Sequence, residues 1–435
     1  MNEADNRVLT EVGAGTLMGN LLRQYWIPAL QSIDLPERDG TPLRVRLLGE
    51  NLVAFRATDG RVGLIDHVCP HRCASLYFGR NEENGLRCLY HGWKFDVEGR
   101  CVDTPNEPLR STLKDRVRVT AYPCVERNGI IWTYMGRGGS DPPSLPELGW
   151  AMVGPTRRSA LRYQRECNWV QAMEGDFDSS HLGILHAAFG APREHPAADT
   201  GVQSYRSLVR TDAHPLLDVH DTDVGVMYGA RRRADIGACY WRVTQFLLPF
   251  YTSVPGYDGK NRDKVWVPLD EEHTMVWEPH WSATRELSAD EQKGWTDRVG
   301  PSGFLPDTSD WLGRFRFAAR AENDYLQDRV RQKRGNFSGM ENVPPIQDAA
   351  VQESMGTICD RTKEHLGAAD AAIVRMRRRL LGAATDLARG VAPPGTREPG
   401  LYRRHGDQLL LGEAESWVEP YLAKMAANYS SLGTG

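Results

Sequence analysis

The hydrophobic rhythm of the chain changes several times. Near the N-terminus Leu17, Leu21, Leu22 and Tyr25 recur at helical spacing, with Thr16 as a candidate N-cap and Pro28 as a stop, which predicts a short amphipathic helix over 16–26. From Leu43 the period drops to two. Leu43, Val45 and Leu47 alternate with Arg44 and Arg46, and Val53-Ala54-Phe55 follows a Gly49-Glu50-Asn51 turn. Asp59-Gly60 is a hairpin signal, and strand-like text continues to Ile130-Ile131-Trp132-Thr133-Tyr134, so residues from about 40 to 136 read as a small all-β region. Four glycines and three prolines between Gly136 and Gly149 mark a boundary. Beyond it, helical text covers Cys167 to His186, and residues 200 to 282 are strand-rich. Helical text returns over 309–333 and after Val351. Asp370 is placed to cap a long helix with Ile373, Met376, Leu380 and Leu387 on its apolar side and Gly390 at its end; the Arg377-Arg378-Arg379 run reads as a solvated face. The expected class is α+β, with a helical segment over 1–30, an all-β domain over 31–140 and a larger sheet-and-helix domain over 150–435.

Composition narrows the function classes. At 435 residues the chain is too long for one core. A net charge of -4 gives no case for a nucleic-acid partner. No apolar run is long enough for a membrane span, and the first residues lack the basic patch and apolar stretch of a secretory signal, so the cytoplasm is the expected compartment. Eight cysteines are too few for a disulfide scaffold. Three of them, Cys69, Cys73 and Cys88, lie close together among histidines, which in a reducing compartment points to metal.

Cys69-Pro70-His71 and Cys88-Leu89-Tyr90-His91 each offer one thiolate and one imidazole. Two such loops facing each other can hold zinc, or a [2Fe–2S] cluster with two Cys on one iron and two His on the other. Zinc fingers pair Cys with Cys and His with His; here each loop carries one of each. The text Cys69-Pro70-His71-Arg72 and Cys88-Leu89-Tyr90-His91-Gly92-Trp93 closely resembles the Rieske motif of ring-hydroxylating oxygenases. Leu89 and Tyr90 between the second pair leave no cysteine for the loop disulfide of respiratory Rieske proteins. Cys73 stands where the oxygenases usually have glycine, and is expected to be a small buried apolar residue rather than a ligand.

A second constellation follows in Glu174-Gly175-Asp176-Phe177-Asp178-Ser179-Ser180-His181-Leu182-Gly183-Ile184-Leu185-His186. On an ideal helix His181 and His186 would lie about 140° apart, so a shared site requires irregular backbone. The Asp-x2-His-x4-His pattern resembles the mononuclear iron motif of the same oxygenases. Two His and one carboxylate make a facial triad with open positions on Fe(II). The resemblance implies a carboxylate from a late helix. Asp324, Asp328, Asp348, Glu353 and Asp360 are candidates, and Asp348, expected at a helix start, is chosen on its context Pro345-Ile346-Gln347-Asp348-Ala349. The resemblance also implies that Asp178 bridges a cluster histidine of one subunit and an iron ligand of the next; the alternative is a local cap. Glu174 and Asp176 either support the site or are surface acids.

Gln352-Glu353-Ser354-Met355-Gly356 and Asp360-Arg361-Thr362-Lys363-Glu364-His365 look like the phthalate dioxygenase branch, which covers about residues 5 to 420. That resemblance implies an all-β Rieske domain followed by a helix-grip catalytic domain, in an oxygenase (alpha) subunit forming trimers or stacked trimers. It implies electrons from NADH through a separate flavin and iron–sulfur reductase, O2 as co-substrate, and hydroxylation of an aromatic carboxylate, most simply by ring dihydroxylation. Aryl-ether O-demethylation or monooxygenation is the alternative. No Rossmann glycine fingerprint is evident, which agrees with a separate reductase. A buried carboxylate needs a cation, and Arg242 in the strand Tyr240-Trp241-Arg242-Val243-Thr244 is the first candidate, sharing a face with Tyr240, Thr244 and Phe246; Arg206 is the second.

Overall fold

In the computed structural model the described residues are 1–136, 141–186, 208–209, 212, 214–234, 237–257, 259–292, 303–430 and 432. The N-terminal segment forms α1 (Glu3–Thr10) and α2 (Leu17–Leu22). Thr16 does cap α2, accepting a hydrogen bond from the Gly19 N–H at 3.0 Å, but the helix ends at Leu22. Trp26 already opens a strand, β1 (Trp26–Gln31), so Pro28 lies in a sheet and not behind a helix; a bulge between Pro28 and Leu30 accommodates the missing N–H.

The period-two text becomes small antiparallel sheets. β2 (Leu43–Leu47), β3 (Glu50–Arg56) and β4 (Val62–Asp66) form a meander closed by the predicted Asp59-Gly60 turn. A second sheet runs β5 (Arg80–Glu82), β6 (Gly85–Arg87), β7 (Lys94–Phe95) and β8 (Cys101–Asp103). β9 (Cys124–Arg127) and β10 (Ile130–Tyr134) complete a third with β1. Val53, Phe55, Ile65, Leu86, Trp93 and Phe95 fill the core beneath Cys69 and Cys88.

The second half is one eight-stranded antiparallel sheet: β11 (Arg158–Arg165), β12 (Leu216–Thr222), β13 (Gly225–Arg233), β14 (Ala238–Leu247), β15 (Tyr251–Val254), β16 (Asn261–Pro268), β17 (Thr274–Trp281) and β18 (Asp407–Gly412), in the order β11-β17-β16-β15-β14-β13-β12. β14 is long enough to pair with β15 at one end and β18 at the other. Helix α3 (Trp169–Phe177) packs over β14, β15 and β16 and against α4 (Pro344–Glu353), while the long α5 (Ala371–Ala388) lies on β12 and β13. The fold is therefore an all-β domain followed by an antiparallel-sheet domain carrying a long helix.

Three local expectations fail for physical reasons. Over 309–333 only a short 3-10 segment (Ala321–Leu326) and a five-residue helix (Arg329–Lys333) form. The apolar residues there serve tertiary contacts instead: the Trp311 ring meets His67 of the β-domain edge-on at 5.0 Å, and Phe304 stacks on Phe317. On α5, Arg377 is not solvated; it is 4% exposed and binds Glu174 and Glu364. Asp370 sits at the N-cap position, but its carboxylate accepts from the Gly367 N–H rather than from the helix, which does end at Gly390 with φ of +87°. Among the described residues no helix is long and apolar enough to cross a membrane.

Candidate metal centres

The first centre is built by two loops with the same wiring. The Cys69 N–H donates to Ala74 O and the Cys88 N–H to Trp93 O, both at 2.8 Å. Each cysteine carbonyl then accepts from the N–H four residues on, Cys73 at 2.9 Å and Gly92 at 3.0 Å. That fourth position is left-handed in both loops, with φ of +59° at Cys73 and +78° at Gly92. Left-handed backbone favours glycine, and this accounts for the residue usual at position 73. Cys73 is exposed, not buried as expected; its side chain points away from the core because the turn needs its backbone, not its sulfur.

Cys69 and Cys88 are 2% and 3% exposed, whereas His71 and His91 lie at the surface end with ring centroids 4.4 Å apart. Trp93 stacks flat on His71 at 4.4 Å and is held by a 2.8 Å bond from its Nε1 to Asn106 Oδ1. Burial pushes the Cys69 thiol up to about 11, so an isolated thiolate is disfavoured there and a cationic centre is needed to hold it ionised. Two inner sulfurs and two outer nitrogens match the donor order of a [2Fe–2S] cluster ligated by two cysteines and two histidines.

The second centre grows out of the end of α3. Asn168 caps that helix, and Trp169, Val170, Met173 and Phe177 bury its inner side. Asp178 then stops it. Its Oδ1 accepts from the Ser180 N–H at 2.7 Å, and its Oδ2 from the His181 N–H at 3.1 Å. The resulting 3-10 turn over His181–Gly183 supplies the irregularity that the five-residue spacing requires, and the two imidazole centroids come within 5.1 Å. The same Asp178 Oδ2 is 2.9 Å from His181 Nδ1, so Asp178 makes a local cap and also holds a histidine ring.

Asp348 reaches this pair from α4. Two prolines open that helix, where their missing N–H groups cost nothing, so Asp348 lies within the helix and not at its start. Its Oδ1 is 3.1 Å from His186 Nε2 and 3.9 Å from His181 Nε2. Among the described residues, His181, His186 and Asp348 are the one group of three such donors that converge on a point and could hold a metal ion. The other late carboxylates are elsewhere: Asp328 caps a short helix, Asp360 binds Thr362, Glu353 accepts from Tyr325 and the Glu166 N–H, and Asp324 is exposed. Burial opposes charge on the Asp348 carboxyl, but the two histidines hold it well below the usual range. Burial likewise opposes a charged His181, yet Asp178 and Asp348 raise its pKa. A pocket that favours positive charge on the His181 ring in this way suits a dication in the proton's place.

Over residues 25–122 the chain matches the Rieske [2Fe-2S] domain, and over 133–411 the family described as LigXa C-terminal domain like. It is 40% identical, over 92% of both chains, to the 3-chlorobenzoate-3,4-dioxygenase oxygenase subunit of Comamonas testosteroni. The chain belongs to the Rieske oxygenases. A second relative of this oxygenase, the phthalate 4,5-dioxygenase oxygenase subunit of Pseudomonas putida, is 37% identical over 92% of this chain and 90% of the other. Among solved structures, dicamba monooxygenase bound to dicamba superposes with a TM-score of 0.54 at 18% identity, covering 85% of this chain and 99% of the other. The carbazole 1,9a-dioxygenase terminal oxygenase of Nocardioides aromaticivorans IC177 superposes at 0.55 with 20% identity, covering 89% and 98%. These likenesses concern the fold. The enzyme is thus an oxidoreductase of a family that binds a Rieske cluster and mononuclear iron, and its named relatives are oxygenase subunits of multicomponent systems.

Around the oxygenase's second centre the acids of α3 are buried, not superficial. Glu174 binds Arg377 at 2.7 Å and Arg361 at 3.3 Å, tying α3 to α5. Asp176 binds Lys264 at 2.7 Å and accepts from Thr252 Oγ1 at 2.6 Å, tying it to the sheet. Arg242 is 5% exposed and donates to the neutral Thr244 Oγ1 at 2.8 Å. Its charge acts on His181, which places it near the triad. Arg206 lies outside the described residues. Sequence reasoning passed over Gln347, whose Oε1 is 2.6 Å from His186 Nδ1; its only signal was its place beside Asp348.

Proposed function

We propose that this protein is the terminal oxygenase of a cytoplasmic system that adds both atoms of O2 to an aromatic carboxylate, with electrons drawn from NADH through a separate flavin and iron–sulfur reductase. Cys69, His71, Cys88 and His91 hold the cluster, and His181, His186 and Asp348 hold Fe(II). When bound, these groups supply one-electron transfer and O2 activation. Forming a cis-dihydrodiol from an arene consumes one O2, two electrons and two protons.

The observation that carries the substrate class is Arg242. It is a buried guanidinium near the triad with no carboxylate partner among the described residues, on the same sheet face as Tyr240, Thr244 and Phe246. A buried cation left without an anion is costly, and a substrate carboxylate would complete it by bidentate hydrogen bonding. Arg206 is the second candidate for that role. The 3-chlorobenzoate and phthalate named for the two relatives above are both aromatic acids.

The electron path is assigned between subunits of a trimer or stacked trimer. Among the described residues, no hydrogen bond or ring contact joins the cluster loops to the triad of the same chain. In the second cluster loop Leu89 and Tyr90 are 62% and 54% exposed, an apolar surface suited to a second copy. In that arrangement Asp178 accepts from a cluster histidine of one subunit while orienting His181 of its own.

The test is a product screen with benzoates, phthalates and methoxybenzoates, under NADH and a surrogate reductase. Dihydrodiols of aromatic acids are expected. Phenols, or formaldehyde from methoxybenzoates, would replace dihydroxylation by the monooxygenase or O-demethylase reading; a 5,5'-dehydrodivanillate O-demethylase subunit of Sphingobium sp. is 29% identical over 96% of this chain.

A further inference from the structure

We propose that Gln347 is a positioning residue that fixes which nitrogen His186 turns to the metal, and that the triad uses a neutral amide here where its companion histidine has a carboxylate. The inference rests on the reading that His181, His186 and Asp348 hold iron.

Gln347 is fully buried on α4, one residue before Asp348. Its Oε1 is 2.6 Å from His186 Nδ1. Its Nε2 donates to the Glu341 carbonyl at 3.0 Å and to Ser338 Oγ at 3.1 Å. A carbonyl oxygen only accepts, so turning the amide over would set two oxygens face to face at Glu341. The amide therefore has one orientation, with Oε1 towards His186. An amide oxygen also only accepts, so Nδ1 of His186 carries a proton to it; a neutral His186 then keeps its lone pair on Nε2, the atom that faces Asp348 Oδ1 at 3.1 Å and would turn to a metal held there.

The lock is itself held. Ser338 Oγ donates to Asn336 Oδ1 at 3.1 Å and accepts from the Met340 N–H at 3.2 Å, while the Ser338 carbonyl accepts from Gln327 Nε2 at 2.7 Å. Residues 336–341 thus form a braced turn whose effect at the metal is to aim one imidazole. The contrast with His181 is chemical. There Nδ1 faces the Asp178 carboxylate, so that ring lies beside a negative charge. Gln347 gives His186 the same direction without a third carboxylate beside Asp178 and Asp348.

The test uses the full chain with its Rieske cluster in place. The mononuclear metal is stripped with a chelator, Fe(II) is titrated back anaerobically against a competing chelator, and the EPR spectrum of the nitric oxide adduct is recorded. Gln347→Met is expected to weaken Fe(II) binding about 10–100-fold and to change the shape of the nitrosyl signal, with the Rieske signal unaltered. Ser338→Ala leaves the amide but removes one of its two locks, and should weaken binding by about threefold with a smaller change in the same spectrum. Wild-type affinity with an unaltered nitrosyl spectrum in Gln347→Met would overturn the proposal. If that variant does not fold, as judged by loss of the Rieske signal, Ser338→Ala decides in the same way. His186→Ala separates the two readings: wild-type iron binding there would remove the triad itself rather than the role of Gln347.

Discussion

The four residues proposed to hold the cluster fall within 69–91 and come from two loops with the same internal hydrogen bonds, whereas the proposed iron triad joins His181 and His186 to Asp348 from a helix far along the chain. The first set is shaped by backbone: each loop closes on itself around a cysteine, with a left-handed residue at the fourth position. The second is shaped by packing. α3 and α4 are clamped by Gln171 Nε2 on the Gln352 carbonyl at 3.1 Å and Gln352 Nε2 on the Ala172 carbonyl at 3.3 Å, and α3 is held to α5 by the Glu174 ion pairs. The two also differ in exposure. The cluster histidines sit at an open apolar tip, while His186 is 6% exposed among buried acids and arginines. A centre that exchanges electrons with a partner needs a short path to the surface; one that handles O2 and an arene needs water kept away.

If the two centres are built independently, breaking one should spare the other. Asp348→Ala is expected to abolish oxygenation and mononuclear iron while the Rieske EPR signal stays. His71→Ala should remove that signal and leave the triad able to take up Fe(II). A variant at either centre that empties both would show that they are one unit.

The next largest effect concerns the link between them. Asp178→Asn keeps an acceptor for the Ser180 N–H, so both metals should remain. Cluster-to-iron electron transfer, followed optically in a single turnover, is expected to slow about 100-fold or more. Normal transfer would reduce Asp178 to the cap that its bonds to Ser180 and His181 also make it.

Arg242→Met sharpens the comparison from the substrate side. Removing the partner of a buried carboxylate should raise KM for a benzoate by about 30-fold or more, with iron content unchanged. An unchanged KM across several aromatic acids would take Arg242 out of the site.

The smallest expected effect is at the cluster loop. Cys73→Gly relieves a left-handed non-glycine residue and should keep the brown colour while stabilising the protein by at most about 1 kcal/mol, seen as a higher Tm. Bleaching would make Cys73 a ligand.

The contrast between the centres also explains what could be read in the sequence. Spacing alone exposed the cluster loops, because their geometry is local. The histidine pair was visible, but the 3-10 turn that brings its members together depends on Asp178 accepting two N–H groups, which no periodicity reports. Asp348 is found through family context, and lies deeper than the expected helix start because Pro344 and Pro345 already form the first turn. Arg377 looked solvated within a run of three arginines; its burial is visible only once Glu174 and Glu364 face it. The apolar residues of 309–333 suggested a helix face, yet Trp311 packs across the chain on His67. For Arg377 and Trp311 what stayed hidden is a partner distant in sequence; for the histidine pair and Asp348 it is local backbone geometry.

The most direct test is a single turnover of the anaerobically reduced protein, without reductase, mixed with an aromatic carboxylate and isotopically heavy O2. The expected product is a cis-dihydrodiol with heavy oxygen in both hydroxyls. A product bearing one heavy oxygen, a demethylated acid, or no product from a protein holding both metals would contradict dihydroxylation of an aromatic acid at this site.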